Sequence, residues 1–351
     1  MSDPAVALDL TALAAWMGER GLDVDGPLEA RRIGRGHSNL TYRVRDAAGR
    51  TWVARRPPLG ELLASAHDVA REARIMAALE HTDVPVPRIL ATCEDPRVAD
   101  VPVVLMEHVE GLVIDTEPTA HGLDPAVARG VCADVARTLA RIHAVDVDAV
   151  GLGDLAKRED YAGRQLRRWS RQWEASRTRE LPALDDLTAV LAAAVPPQRG
   201  VALVHGDFHL RNVLVDPADG TIRAALDWEL STLGDPVADI GSTLAYWPEA
   251  GEPTHGMFAG TAAPGFMTRE ELAEAYLEQT GADRAALGFW HVLGVWKIAV
   301  IVEGVVRRVR DQPENATEGE IPTTDQVDGL IEHAQALSRH YGLRSAVGSS
   351  R

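Results

Sequence analysis

The chain has 351 residues, 46% of them hydrophobic, and a formal net charge of −16. That length and apolar content support two coupled lobes rather than small stapled modules, and the acidic balance lacks the electrostatic footprint of a nucleic-acid binder. Cys93 and Cys132 are the two cysteines, without a partner at CxxC spacing, which points away from a disulfide framework or a zinc site and toward a reducing cytoplasm.

The N-terminus has early acidic residues and no basic segment ahead of an apolar core, so it does not read as a signal peptide. Apolar residues at Leu10, Leu13, Trp16 and Met17 recur at helical spacing over 8–20. ARRIGRGHSNLTYRVRD and TWVARRPP then alternate like strands around a DAAGR turn, a hairpin preceded by a glycine-rich turn. A helix is predicted over 65–79, followed by VPVPRIL, whose prolines force extended backbone, and by VPVVLMEHV as a further strand. Beyond EGLVI the pattern turns helical, interrupted by two short apolar strands within ALVHGDFHLRNVLVD and RAALDWE. The apolar run 289–306 approaches membrane-span length, but Lys297 and Glu303 fall inside it, so a buried core helix is expected and no membrane.

The strongest chemical signal is HGDFHLRNVLVD, residues 205–216, in which an apolar strand delivers Asp207 onto a loop and Asn212 follows five residues later. Phosphoryl transfer needs a carboxylate to orient or deprotonate the attacking hydroxyl and hard oxygen ligands for Mg²⁺. Asp207 suits the first role and Asn212 the second, and ALDWE places Asp227 at the end of the next strand as another oxygen ligand.

HGDxxxxN followed by DWE resembles the aminoglycoside phosphotransferase and choline-kinase-like superfamily, relatives of the protein kinases. The resemblance implies an α+β, protein-kinase-like two-lobed fold: a small antiparallel sheet with one helix over 1–106, a hinge at 107–111, a larger, mainly helical lobe over 112–344 and a flexible tail at 345–351. It further implies Asp207 as catalytic base, His205 as a support of the catalytic loop, and Asn212 and Asp227 as Mg²⁺ ligands, with ATP or GTP as cosubstrate lying between the lobes. Gly34, Gly36, Ser38 and Asn39 would approach the phosphates. Arg55 stands where the family generally carries Lys, and Glu72 is its matching carboxylate. Glu107 and Val109 in LMEHVEG are the implied backbone contacts to the base. In GDPVADIGS, Asp239 is expected to brace the catalytic loop and Asp235 to cap a helix.

RRPP, SAHDVAREARIM, WPEAG and WHVLGVWKIAVIVEGVVRR are similar to the branch found fused to acyl-CoA dehydrogenases, which implies a small-molecule hydroxyl acceptor such as a hydroxyacyl-CoA. An aminoglycoside-like acceptor would instead call for carboxylates, and a CoA ester for Arg164, Arg167 and Arg168. Trp169, Trp173, Trp247 and Glu249 are weaker acceptor-side candidates. The alternative is a nucleotide-binding pseudokinase, motivated by Arg55.

Overall fold

A computed structural model describes residues 7–34, 39–58, 68–254, 260–311 and 322–344. The chain divides into two compact units, one of Met1–Gly111 with Arg223–Leu230, the other of Leu112–Ile222 with Ser231–Arg351.

The first unit opens with α1 (Leu10–Glu19), whose first turn is capped by Asp9, its side chain accepting from the Ala12 N–H. Five antiparallel strands follow, β1 (Glu29–Ile33), β2 (Leu40–Arg45), β3 (Thr51–Arg56), β4 (Ile89–Cys93) and β5 (Val103–Glu107), in the order β1-β2-β3-β5-β4. The helix α2 (Val69–Leu79) lies between β3 and β4 in the chain, inside the predicted 65–79 span. Asp46 organises the β2–β3 turn: its carboxylate accepts from the Arg50 N–H at 2.8 Å and the Asp25 N–H at 3.1 Å.

Strand periodicity assigns the two arginines of WVARR to opposite faces. Tyr42 pairs with Ala54, and Ala54 with Leu105; these residues share one face and join Leu13, Trp16 and Met17 of α1 in a buried core. Arg56 lies on that face, its guanidinium donating to the Ala7 and Pro57 carbonyls and to Asp100. Thr41, Arg55 and Val104, paired in register, occupy the other face. Alternation therefore places Arg55 and Arg56 on opposite faces of the sheet.

The second unit is mainly helical: α3 (Glu117–His121), α4 (Pro125–His143), α5 (Tyr161–Ser176) and α6 (Pro182–Ala193) precede short strands β6 (Ala202–Val204) and β7 (Val213–Val215); after β8 (Ile222–Ala225), whose last three residues belong to the first unit, comes β9 (Thr232–Gly234). Helices α7 (Val237–Ala245), α8 (Arg269–Thr280), α9 (Leu287–Asp311) and α10 (Thr324–His340) complete it. The α4 stripe Ala128, Val131, Cys132, Val135, Leu139 and Ile142 recurs at three- and four-residue steps and is buried throughout.

The long apolar helix α9 packs against α5, α7 and α10 and is buried over most of 287–304. It lies close against α7, where a Cβ on Gly241 would lie 2.4 Å from the Trp290 Cβ and one on Gly294 2.9 Å from the Ala245 Cβ. The two glycines thus set the helix separation, and Trp290, Gly294 and Lys297, at steps of four and three, share the face turned toward α7.

Candidate active site

In the first unit, Arg55 is the centre of a polar fork. Its Nε donates to Glu72 Oε2 at 2.8 Å, one Nη donates to Asp227 Oδ1 at 2.7 Å, and the other to Thr41 Oγ1 at 3.2 Å. The Thr41 contact follows from register, since Thr41 is the cross-strand partner of Arg55. Glu72 sits in the first turn of α2, 2% exposed, and its second oxygen accepts the Trp228 N–H at 3.2 Å. Burial and the nearby Asp227 and Glu229 carboxylates push Glu72 up to about 7 against the pull of Arg55. Burial would lower Arg55, but Glu72, Asp227 and Glu229 hold it above its ordinary value, so the fork keeps a fixed cation.

Asp227 has φ +65°, one of two non-glycine residues in that region among the described residues. Such backbone costs on the order of 1–3 kcal/mol and persists where surrounding contacts enforce it. Here Trp228 enforces it, fully buried with its indole donating to the Ala225 carbonyl at 3.0 Å and its N–H held by Glu72. The strained turn leaves Asp227 31% exposed beside Arg55.

In the second unit, β6 delivers the loop that bears Asp207. Asp239, on the first turn of α7 and fully buried, accepts the His205 N–H at 2.6 Å, the Gly206 N–H at 2.8 Å and His143 Nε2 at 3.1 Å. Burial would raise its carboxyl, but these donors and the His143 and His205 imidazoles outweigh it and keep it lowered. His143 is held in turn by the Tyr276 hydroxyl at 2.7 Å. Gly206 adopts φ +85°, which a side chain would resist, and Lys297 Nζ donates to its carbonyl at 2.9 Å. The buried His205 ring accepts the Asp207 N–H at Nδ1, 3.3 Å away, and packs edge-on against Phe208.

Asp207 is 25% exposed, with His209 Nε2 3.4 Å from its Oδ2. Burial alone would raise Asp207, but His209, Lys297 and His205 outweigh it and hold the carboxyl well below the usual range. Asn212 Nδ2 donates to the Asp207 carbonyl at 2.9 Å and to Asp207 Oδ2 at 3.2 Å. Its amide nitrogen is thus committed to Asp207, which leaves the amide oxygen as the accepting end of the Asn212 side chain. His209 packs against Tyr246 with ring centroids 4.7 Å apart. Burial, reinforced by Asp207, pushes the Tyr246 phenol upward and keeps it protonated.

The structure therefore groups Arg55, Glu72 and Asp227 in one unit and His205, Asp207 and Asn212 in the other. Gly34, at φ +77°, precedes the segment 35–38, so Gly36 and Ser38 lie outside the described residues. Asn39 is buried, and neither side-chain amide atom has a partner among the described residues. Glu107 ends β5, its N–H bonded to the Arg88 carbonyl at 3.0 Å, and Val109 follows outside the strand.

Of the weaker candidates, Trp173 and Trp247 are core residues, and Glu249 is bonded to Arg269. Arg164 is committed to the Lys157 and Leu233 carbonyls and Arg167 to Asp160. Asp235 accepts the Val237 N–H at 3.0 Å just ahead of α7, but the N-cap position expected for it is held by Pro236. Four contributors carried no role in the sequence reading: His143, His209, Tyr246 and Lys297. The signal for Lys297 was its place inside an apolar helix, where a charge needs a buried partner.

The phosphotransferase enzyme family profile matches residues 29–290. Among curated proteins, the chain is 36% identical over 318 residues to mouse acyl-CoA dehydrogenase family member 10 and 30% identical over 345 residues to rat acyl-CoA dehydrogenase family member 11, covering 89% and 96% of this chain. It spans 30% and 44% of those two proteins. A solved Ralstonia eutropha JMP134 protein, described as an aminoglycoside phosphotransferase, superposes with a TM-score of 0.78 at 31% identity over 95% of this chain and 98% of its own. Choline kinase from Cryptosporidium parvum shares the fold at a TM-score of 0.64 and 14% identity, over 97% and 99% of the two chains.

Proposed function

The chain belongs to the phosphotransferase enzyme family, and from that premise we propose that it is an active Mg²⁺-dependent small-molecule kinase that transfers the γ-phosphoryl group of ATP or GTP to an alcohol hydroxyl, with Asp207 as base. The observation that carries this reading is the Asp207 loop. An ionised carboxylate is partly open to solvent, Asn212 donates to it, and Asp239 pins the preceding backbone.

Asp207 aligns the acceptor hydroxyl and takes its proton. The hydroxyl oxygen forms a bond to the γ-phosphorus as the bond from that phosphorus to the bridging oxygen breaks, and the bond electrons leave on the diphosphate. A carboxylate held low is a weak base, so its main contribution is orientation, with proton transfer late in the step. The donor chemistry fits a hard cation: Asn212 offers its amide oxygen, and Asp227 offers the carboxylate oxygen that Arg55 does not engage. Mg²⁺, when bound, neutralises charge on the nucleotide phosphates. Arg55 and the buried Asn39 amide, which has no partner among the described residues, supply further phosphate donors.

For the acceptor, similarity to acyl-CoA dehydrogenase family members favours a hydroxyacyl-CoA or related metabolic alcohol over an aminoglycoside. Arg168 supports an anionic acceptor: it is exposed over the Trp169 ring at 5.5 Å, with no carboxylate partner among the described residues. The substitution of Arg55 for Lys favours the second reading, a nucleotide-binding module without turnover. The test is Mg²⁺-dependent ADP or GDP release across hydroxyacyl-CoAs, aminoglycosides, choline and sugars, with Asp227→Ala as blank. Acceptor-stimulated release lost in the blank supports the kinase, whereas tight nucleotide binding with silence across the panel supports the second reading.

A further inference from the structure

We infer that Lys297, in the middle of α9, is a positioning residue for the Asp207 loop, holding the Gly206 carbonyl while Asp239 holds the Gly206 N–H; this rests on the kinase reading above. The grip is built from both polar atoms of one residue. Asp239 Oδ1 takes the Gly206 N–H at 2.8 Å, and Lys297 Nζ donates to the Gly206 carbonyl at 2.9 Å. Gly206 immediately precedes Asp207 and sits at φ +85°, so rotation of its peptide would re-aim the Asp207 side chain.

Why a lysine is tolerated in this place follows from its surroundings. Lys297 is half-buried in a helix whose other residues over 287–300 are all buried, and an unpaired ammonium there would be unfavourable. Three features hold it: the Gly206 carbonyl, the face of Trp169 5.3 Å from Nζ, and the Asp207 and Asp239 carboxylates, which oppose the downward pull of burial on the amine. Its orientation comes from the packing of α9 on α7, because Lys297 shares a face with Gly294, the residue that permits the close approach. A cavity of about 40 Å³ lined by Trp169, Gly206, Asp239 and Lys297 leaves room at the end of the side chain.

A structural lysine and a positioning lysine make different predictions. Lys297→Met leaves the Gly206 carbonyl without its donor, so a purely structural account predicts that activity falls only in step with stability. The positioning account predicts that Lys297→Met lowers kcat by roughly 10²-fold, the effect of a displacement of about 1 Å at a reacting group. The nucleotide KM should stay within about threefold, and the fall in kcat should exceed what any drop in melting temperature accounts for. Lys297→Arg, for which the cavity provides space, should recover turnover to within about tenfold of wild type.

The accompanying measurement is amide hydrogen exchange over residues 205–208 in wild type and both variants. Faster exchange in Lys297→Met, restored by Arg, supports the grip. Unchanged exchange, kcat within about threefold of wild type in the Met variant, or a Met variant that loses activity only in step with its melting temperature would overturn it. If wild type turns over no acceptor, the kinase reading fails, and the exchange data still decide whether Lys297 holds the loop.

Discussion

Asp239→Asn is the sharpest perturbation of the Asp207 loop, because the Asp239 carboxylate accepts from two consecutive backbone N–H groups and from His143. An asparagine of the same shape retains one accepting oxygen, and its NH₂ group faces the second backbone N–H. One buried donor is then unpaired, at about 1–3 kcal/mol, and the remaining bond loses its charge assistance, at about 1 kcal/mol. Together the expected loss is roughly 2–4 kcal/mol of unfolding free energy, with kcat reduced about 10²-fold because the donors lost are those of His205 and Gly206, just ahead of Asp207. Urea denaturation followed by tryptophan fluorescence reads the first quantity, since Trp247 and Trp296 are buried in the same unit; steady-state nucleotide turnover reads the second. A midpoint shift worth less than about 1 kcal/mol with turnover unchanged would refute the argument that Asp239 fixes the loop.

Three further outcomes follow. Arg55→Met should cost about 3–5 kcal/mol by leaving buried Glu72 without its cation, and Arg55→Lys should recover only part of this because one ammonium cannot serve Thr41, Glu72 and Asp227 together; urea midpoints compare the two. Asp227→Asn should abolish turnover while leaving the fold nearly intact, since asparagine tolerates the φ +65° backbone; circular dichroism and nucleotide turnover, measured side by side, check this. His291 is buried against Tyr341, and burial, followed by the Arg269, His333 and His340 charges, lowers it to about 3. Its folded value lies below its unfolded one, so its contribution is present above pH 6.5 and is lost as pH falls toward 3. Between pH 6.5 and 5 wild type should lose about 2 kcal/mol that His291→Gln does not, and equal pH slopes in the two proteins would contradict it.

The parts of the molecule legible in the sequence are those whose partners lie close in the chain or follow a period. HGDFHLRN compresses Asp207 and Asn212 into one loop, and the hydrogen bonds between them span five residues. Strand alternation places Arg55 and Arg56 on opposite faces, and helix periodicity recovers the buried stripe of α4. What stayed hidden depends on long-range packing. Lys297 meets Gly206 across 91 residues and His143 meets Asp239 across 96, so neither pairing leaves a local pattern. Asp239 was legible only through resemblance, because an acid one turn into a helix otherwise reads as an ordinary first-turn carboxylate. The three-residue strand β9 is too short for periodicity to reveal.

The central claim is that Asp207 orients the hydroxyl that attacks the nucleotide. It is tested most directly by following transfer of a labelled γ-phosphoryl group from Mg·ATP to the best acceptor in wild type and in Asp207→Ala, with nucleotide affinity of both measured by calorimetry. The account predicts a loss of transfer of roughly 10²–10⁴-fold in the variant at nearly unchanged affinity. Transfer within a few-fold of wild type would contradict it.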